Sequence, residues 1–327
     1  MNLEKELRSY SDIFNKEMEN YLFKDDSENL YEAARHIPFA GGKRIRPVLA
    51  MLASEATGGS SKGVISFGLA LEIIHSFSLV HDDIMDKSTL RRNIPTVHVK
   101  YGEPIAILAG DLLFIRAFDA LGSYYEDSSL YSKISRKFIQ AVTDVCEGQY
   151  LDMTFEKRPN VTKNEYMTMI EKKTAALFRV AAEGGSIVAG ASNDVQKAMN
   201  TYGKALGLAF QIRDDALDMI SDTETLGKDI GNDIRNGKKT LIAVHALEHA
   251  SGDNKQILSK LFGNPNASDE DIMKVRQVFS NVGSIQFAED KAKEYSHIAI
   301  NALSVLSDSH AKEVLSDIAE FAVTRVK

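Results

Sequence analysis

Two long apolar runs in this 327-residue chain end in the same acidic signature. Residues 67–86 read FGLALEIIHSFSLVHDDIMD and close on Asp82, Asp83 and Asp86. Residues 209–222 read AFQIRDDALDMISD and carry Asp214, Asp215 and Asp218 at the same spacing. In a helix, positions four apart share a face, so Asp82 and Asp86 point the same way with Asp83 beside them. Such an end is unfavourable alone. Like charges repel, and carboxylates in a last turn oppose the helix dipole, each effect costing roughly a few tenths of a kcal/mol. The cluster therefore predicts a cation nearby. One DDxxD arises by accident in roughly one chain of this length in ten. A single cluster reads equally as a solvated helix end; two, each closing an apolar helical run, point to a shared role.

Apolar residues recur at helical spacing along the rest of the chain. The pattern predicts helices over 3–22, 30–37, 47–56, 105–121, 130–153, 163–190 (one or two), 195–221, 239–250, 254–262, 269–282, 285–306 and 311–326. Thr162 is a candidate helix cap, and Ser268 with Asp271 resembles a capping box. Residues 87–104 form a basic, Pro-containing connection, and the glycine-studded stretch 223–237 is expected to be mobile. No strand pattern or short repeat is evident. With six prolines and no Ser/Gly-rich linker, the expectation is one all-α domain spanning 1–327.

A net charge of −7 with no compensating basic face argues against nucleic acid as a partner. A single cysteine, Cys146, excludes an internal disulfide and fits a reducing compartment; it is expected to pack as a small apolar residue in a helix. Residues 1–21 lack the apolar core of a signal peptide. No apolar stretch reaches about 18 residues without a charge, so no membrane span is expected and the location is read as cytoplasmic.

Mg²⁺ prefers hard oxygen ligands and commonly takes one or two carboxylates with substrate phosphates and water. Two facing carboxylate clusters therefore suit a clamp on a metal-bound diphosphate. The basic partners it needs stand in clusters: Lys43, Arg44 and Arg46; Arg91 and Arg92; Lys172 and Lys173; Lys228; Lys238 and Lys239. Arg suits bidentate phosphate contact, and Lys acts as a point charge. The Gly41-Gly42-Lys43 turn lacks the spacing of a nucleotide-binding loop. Glu72 and His75 have the Glu-x-x-His spacing of di-iron bundles, but no second copy accompanies them.

GGKRIRP at 41–47, both DDxxD clusters, LRR at 90–92, Lys173-Thr174, Phe210-Gln211 and GKDIGND from Gly227 occur together and in order. Over essentially its whole length the chain resembles the trans-polyprenyl diphosphate synthases. The resemblance implies an all-α bundle of ten or more helices around a deep central cavity, in a homodimer that joins isopentenyl diphosphate to an allylic diphosphate with three Mg²⁺ ions. It assigns Asp82, Asp86 and Asp214 to the metals, with Asp83 supporting. Arg91, Lys173, Thr174, Gln211, Lys228 and Lys238 would hold the allylic substrate, and Lys43, Arg46, His75 and Arg92 isopentenyl diphosphate. Asp82, Asp83, Asp86, Lys173, Thr174, Gln211, Asp214 and Lys228 form the implied catalytic set. Phe77 and Ser78, a turn or so before Asp82, would set product length. A lone Phe77 with no insertion in the first DDxxD resembles synthases of geranylgeranyl diphosphate; farnesyl diphosphate synthesis and a non-catalytic subunit are the alternatives.

Overall fold

The structure, a computed structural model, describes residues 2–22, 28–124, 126–220 and 232–325. They are helical almost throughout. The helices are α1 (Leu3–Leu22), α2 (Glu28–His36), α3 (Ile45–Ala56), α4 (Ile65–Met85), α5 (Val97–Tyr101), α6 (Glu103–Ala120), α7 (Ser128–Glu156), α8 (Lys163–Ile170), α9 (Ala176–Val188) and α10 (Asn193–Ile220). Then come α11 (Asn232–Arg235), α12 (Leu241–His249), α13 (Gly252–Leu261), α14 (Asp269–Asn281), α15 (Ser284–Ala302) and α16 (His310–Thr324). Most of the predicted 223–237 segment lies outside the described residues.

Sequence periodicity located these helices closely, and both predicted caps are present. Thr162 Oγ1 accepts from the Glu165 amide at 3.2 Å while the Glu165 carboxylate accepts from the Thr162 amide at 2.8 Å. Ser268 and Asp271 repeat that exchange. Two differences stand out. The connection after α4 contains a small hairpin, β1 (Leu90–Arg91) against β2 (Ile94–Pro95), in register Leu90 to Pro95. Its turn residues Arg92 and Asn93 both have positive φ, 53° and 63°, the backbone of a tight hairpin turn that follows strand twist. Two residues per strand are too few to show alternation in sequence. The single cysteine also departs from expectation. Cys146 is helical but exposed, on a face of α7 shared with Tyr150 and Met153.

The described residues group into two compact units, 1–142 with 177–203 and 302–317, and 143–176 with 204–301 and 318–327. In the first, α4 is the core helix, packed by α3 and α6. Every residue from Phe67 to Ile74 is buried, as expected of a helix apolar on all sides. Each fully buried Phe, Leu or Ile there contributes about 1.5–3 kcal/mol. Residues 62–85 are long and apolar enough to cross a bilayer, but most of that stretch is buried among other helices. Its one acid in the middle, Glu72, is paired with Arg44 at 2.7 Å, both nearly inaccessible. In the second unit Phe155, Tyr166, Ile170, Ile212, Leu241, Val275 and Phe279 belong to one buried cluster.

Candidate active site

At the end of α4 the three aspartates have different surroundings. Asp83 is buried, Asp82 half-buried and Asp86 exposed at the helix cap. The hairpin folds Arg91 back onto the cluster. Its Nε donates to Asp83 Oδ1 and Oδ2 at 3.0 and 2.8 Å, and Nη2 to Oδ1 at 2.7 Å. Burial opposes the Arg91 charge, but Asp83 by hydrogen bond and field, with Asp82 and Asp86 behind it, raises its pKa above the ordinary value. Arg91 is the cation that the acidic helix end required.

A second group of cations surrounds His75, about two helical turns before Asp82 on α4. Burial lowers the His75 pKa well below its usual value, and the fields of Arg46, Arg92, Arg91 and Arg44 add to that effect. Arg46 stacks on the Phe178 ring at 4.8 Å. Arg92 donates to the carbonyls of Ile37 and Gly41. Gly42 explains how it gets there: φ is +138°, and a Cβ would lie 3.0 Å from the Arg92 guanidinium, so this turn needs glycine. Lys43 is exposed on the same turn. Arg44 is instead consumed by structure, bonding Glu72, Asn15 and the Pro38 carbonyl. With Glu72 held in that pair, the di-iron spacing has no free carboxylate to offer. No group of three His, Cys, Asp or Glu among the described residues forms a closed metal site. Asp82 and Asp86 are hard, partly solvated donors, which fits an ion completed by phosphate and water.

The second unit assembles Lys173, Thr174, Gln211 and Lys238 around a cavity of about 50 Å³, with Asp152, Tyr166 and Asp215 also in its wall. A π-helical turn over Glu171–Ala175 joins α8 to α9; such turns recur at functional sites. Gly148 of α7 lets this turn approach, since a Cβ there would lie 2.2 Å from the Lys173 amide nitrogen. Lys173 pairs with Asp152. Lys172 points elsewhere, to Glu147 and Asp144. Thr174 Oγ1 donates to Gln211 Oε1 at 2.8 Å, Gln211 Nε2 to Asp215 Oδ1 at 2.8 Å, and the Tyr166 hydroxyl to Asp215 Oδ2 at 2.5 Å. Burial pushes the Asp215 carboxyl up to about 7 against the opposing pull of Lys238, Tyr166 and Gln211. Asp214 is more open and pairs with Arg325, whose guanidinium stacks on Phe210 at 3.9 Å. Lys228 lies outside the described residues, as does the Asp218 side chain. A larger groove of about 380 Å³, between residues 159–164 and 244–248, contains none of these groups.

Phe77 is half-buried, edge-on to Phe114 at 5.2 Å and to His81 at 4.8 Å, and the aromatic file continues to Phe118. The Ser78 hydroxyl donates back to the His75 carbonyl at 2.8 Å. Asp152, at the end of the GQYLD stretch, Tyr166 and Arg325 have no role assigned from sequence. Tyr166 shares a helix face with Lys173 seven residues on, a signal that was available. Arg325 reaches Asp214 from more than a hundred residues away, with no local sequence trace.

The described residues define an all-α protein that gathers carboxylates and basic side chains at the end of α4 and around the cavity of the second unit. The polyprenyl synthetase family model matches residues 27–279. The chain is 43% identical over 320 residues to the short chain isoprenyl diphosphate synthase of Methanothermobacter thermautotrophicus, covering 98% of this chain and 97% of that one. It is 43% identical over 317 residues to the geranylgeranyl diphosphate synthase of Saccharolobus solfataricus, covering 96% and 95%. The crystal structure of geranylgeranyl pyrophosphate synthetase from Pyrococcus horikoshii superposes with a TM-score of 0.93 at 41% identity, covering 99% and 98%. The chain belongs to the polyprenyl synthetase family.

Proposed function

We propose that this trans-prenyltransferase condenses isopentenyl diphosphate with an allylic diphosphate (dimethylallyl, geranyl or farnesyl) and that its main product is geranylgeranyl diphosphate. The observation that carries the reading is the Arg91 guanidinium folded onto Asp83 at the acidic end of α4, with Arg92 held on the Ile37 and Gly41 carbonyls, Arg46 on the Phe178 ring, and all three close enough for their fields to lower the His75 pKa. Guanidiniums gathered this closely favour a polyanion, and Arg presents the fork that a diphosphate accepts in bidentate fashion. Relatives named geranylgeranyl diphosphate synthase support the product length over farnesyl diphosphate.

In this reading Lys43, Arg46, His75 and Arg92 hold isopentenyl diphosphate. Arg91, Lys173, Lys228 and Lys238 hold the allylic diphosphate, and Asp82, Asp86 and Asp214 are the Mg²⁺ ligands. Mg²⁺ held by these carboxylates would supply neutralising charge for the departing diphosphate. Lys173 and Lys238 stabilise the same charge as it develops, and Thr174 and Gln211 turn polar oxygens toward the allylic cation. The double bond of isopentenyl diphosphate attacks that cation, and loss of a proton to the released diphosphate completes the step, so no side-chain nucleophile is needed. One catalytic domain, a cytoplasmic location and a homodimer belong to the same reading. Exposed Leu108 and Ile115 on α6 and Tyr150 and Met153 on α7 support the dimer.

The test is purified protein with Mg²⁺, labelled isopentenyl diphosphate and each allylic primer, with products separated by chain length. A twenty-carbon product from the protein alone is expected. No incorporation from any primer overturns the enzyme reading and favours the non-catalytic subunit.

A further inference from the structure

We propose that Tyr166 and Asp215 are positioning residues that fix the direction of the Thr174–Gln211 hydrogen bond, so that only oxygen lone pairs of Thr174 face the reacting carbon. The inference rests on the function proposed above and deepens it. Three bonds carry it. Tyr166 donates to Asp215 Oδ2 at 2.5 Å, Gln211 Nε2 to Asp215 Oδ1 at 2.8 Å, and Thr174 to Gln211 Oε1 at 2.8 Å.

The order of donors follows from what each group can do. In the arrangement observed Asp215 accepts both bonds, as an ionised carboxylate does, so Gln211 turns its amide NH₂ to Asp215 and its carbonyl to Thr174. Thr174 has one hydroxyl proton and gives it to that carbonyl. What remains on its oxygen is two lone pairs, and Thr174 lines the cavity beside Lys173. The far end of the chain of bonds is sealed. Tyr166 is 1% exposed and Asp215 5%, so water has little access to replace a lost bond. With the amide reversed, Gln211 would donate to Thr174 and the hydroxyl proton would turn into the cavity. A positive bond end would then face a developing cation. The Tyr166 ring belongs to the apolar core, and its hydroxyl is the one polar atom it must place.

Tyr166→Phe removes that hydroxyl alone. Asp215 then loses one anchor, and the Gln211 amide is free to reverse. The experiment measures kcat and KM for Tyr166→Phe, Thr174→Val and the double variant with isopentenyl and geranyl diphosphates at alkaline pH. It is repeated with 2-fluorogeranyl diphosphate, whose cation is harder to form. Tyr166→Phe should lower kcat about tenfold to fiftyfold, the order for misdirecting one preorganised dipole, with both KM values within about twofold. The native-to-fluoro rate ratio should widen. In the Thr174→Val background the same change should cost less than about twofold, because the two residues act as one unit. Additive losses, an unchanged fluoro ratio, or a KM effect with intact kcat would each overturn the relay. If Tyr166→Phe does not fold, Asp215→Asn carries the test, since its amide donates to Gln211 and imposes the reversed order. A wild-type protein that makes no prenyl product takes down the functional reading and the relay together. An active wild type with an indifferent Tyr166→Phe removes the relay and leaves the function standing.

Discussion

The Arg91 guanidinium straddles the Asp83 carboxylate, with Nε at 3.0 and 2.8 Å from its two oxygens and Nη2 at 2.7 Å. The first DDxxD is therefore divided in its work. Asp83 is 1% exposed and closes an ion pair, while Asp82 and Asp86 keep access to solvent.

That division separates two variants. Asp83→Asn takes from the half-buried Arg91 charge its direct partner. A fully buried pair broken this way costs about 3–5 kcal/mol, and with the Arg91 side chain 28% exposed the expected loss is nearer 1–3 kcal/mol. Asp82→Ala should shift thermal melting by only a few degrees, roughly the effect of a surface change. Its turnover should fall by a factor of about a hundred to a thousand or more, as for a principal electrostatic stabiliser. Equal melting losses in the two variants, or normal turnover in Asp82→Ala, would contradict the assignment.

Glu72 supplies a second separation. It sits 2.7 Å from Arg44 with both side chains nearly inaccessible. Glu72→Gln strands a buried guanidinium, and a loss of about 3–5 kcal/mol in denaturant unfolding is expected. Iron analysis of the purified wild type should find none bound in stoichiometric amount. Stoichiometric iron, or a Glu72→Gln variant as stable as wild type, would return Glu72 to the metal-ligand reading.

How these sites could be read in advance depends on the range of the interactions that make them. Helix positions, both caps and the acidic clusters are encoded within a few residues, and spacing alone revealed them. The fates of Arg44 and Arg91 were not open to that reasoning. In sequence the two look like interchangeable members of basic runs. One is swallowed by Glu72, 28 residues on, and the other is folded back onto Asp83 by a hairpin of two-residue strands. Cys146 erred for a related reason: helical spacing says which residues share a face, but not which face is covered.

The His75 environment predicts a pH dependence with a definite sign. Its folded-state pKa is depressed, first by burial and then by the surrounding arginines. Near neutral pH it is neutral in both states. As pH falls through the ordinary histidine range, the unfolded chain takes up a proton that the folded chain refuses, so stability drops. His75→Asn should flatten the stability profile between about pH 7 and pH 5. Pyrophosphate at the guanidinium cluster should move the His75 imidazole resonance toward its protonated position in NMR titration. An identical pH profile in wild type and variant would show that His75 is not held as described.

Phe77 lies one residue before Ser78 and five before Asp82, roughly 7 Å along the helix by the rise per residue. It packs edge-on against Phe114, but it is only half-buried. A purely structural ring in a core helix would be expected to be fully enclosed, as Phe67 is in the same helix. The open part of the ring is therefore read as a floor on which the growing chain stops. Phe77→Ala removes that floor and should shift the products beyond twenty carbons at a turnover within about an order of magnitude of wild type, because no charge-stabilising group is touched. If Phe77 is core alone, truncation should instead cost about 3–5 kcal/mol of stability and leave product length unchanged. Chromatography of the products beside a melting curve of the same preparation separates the two outcomes.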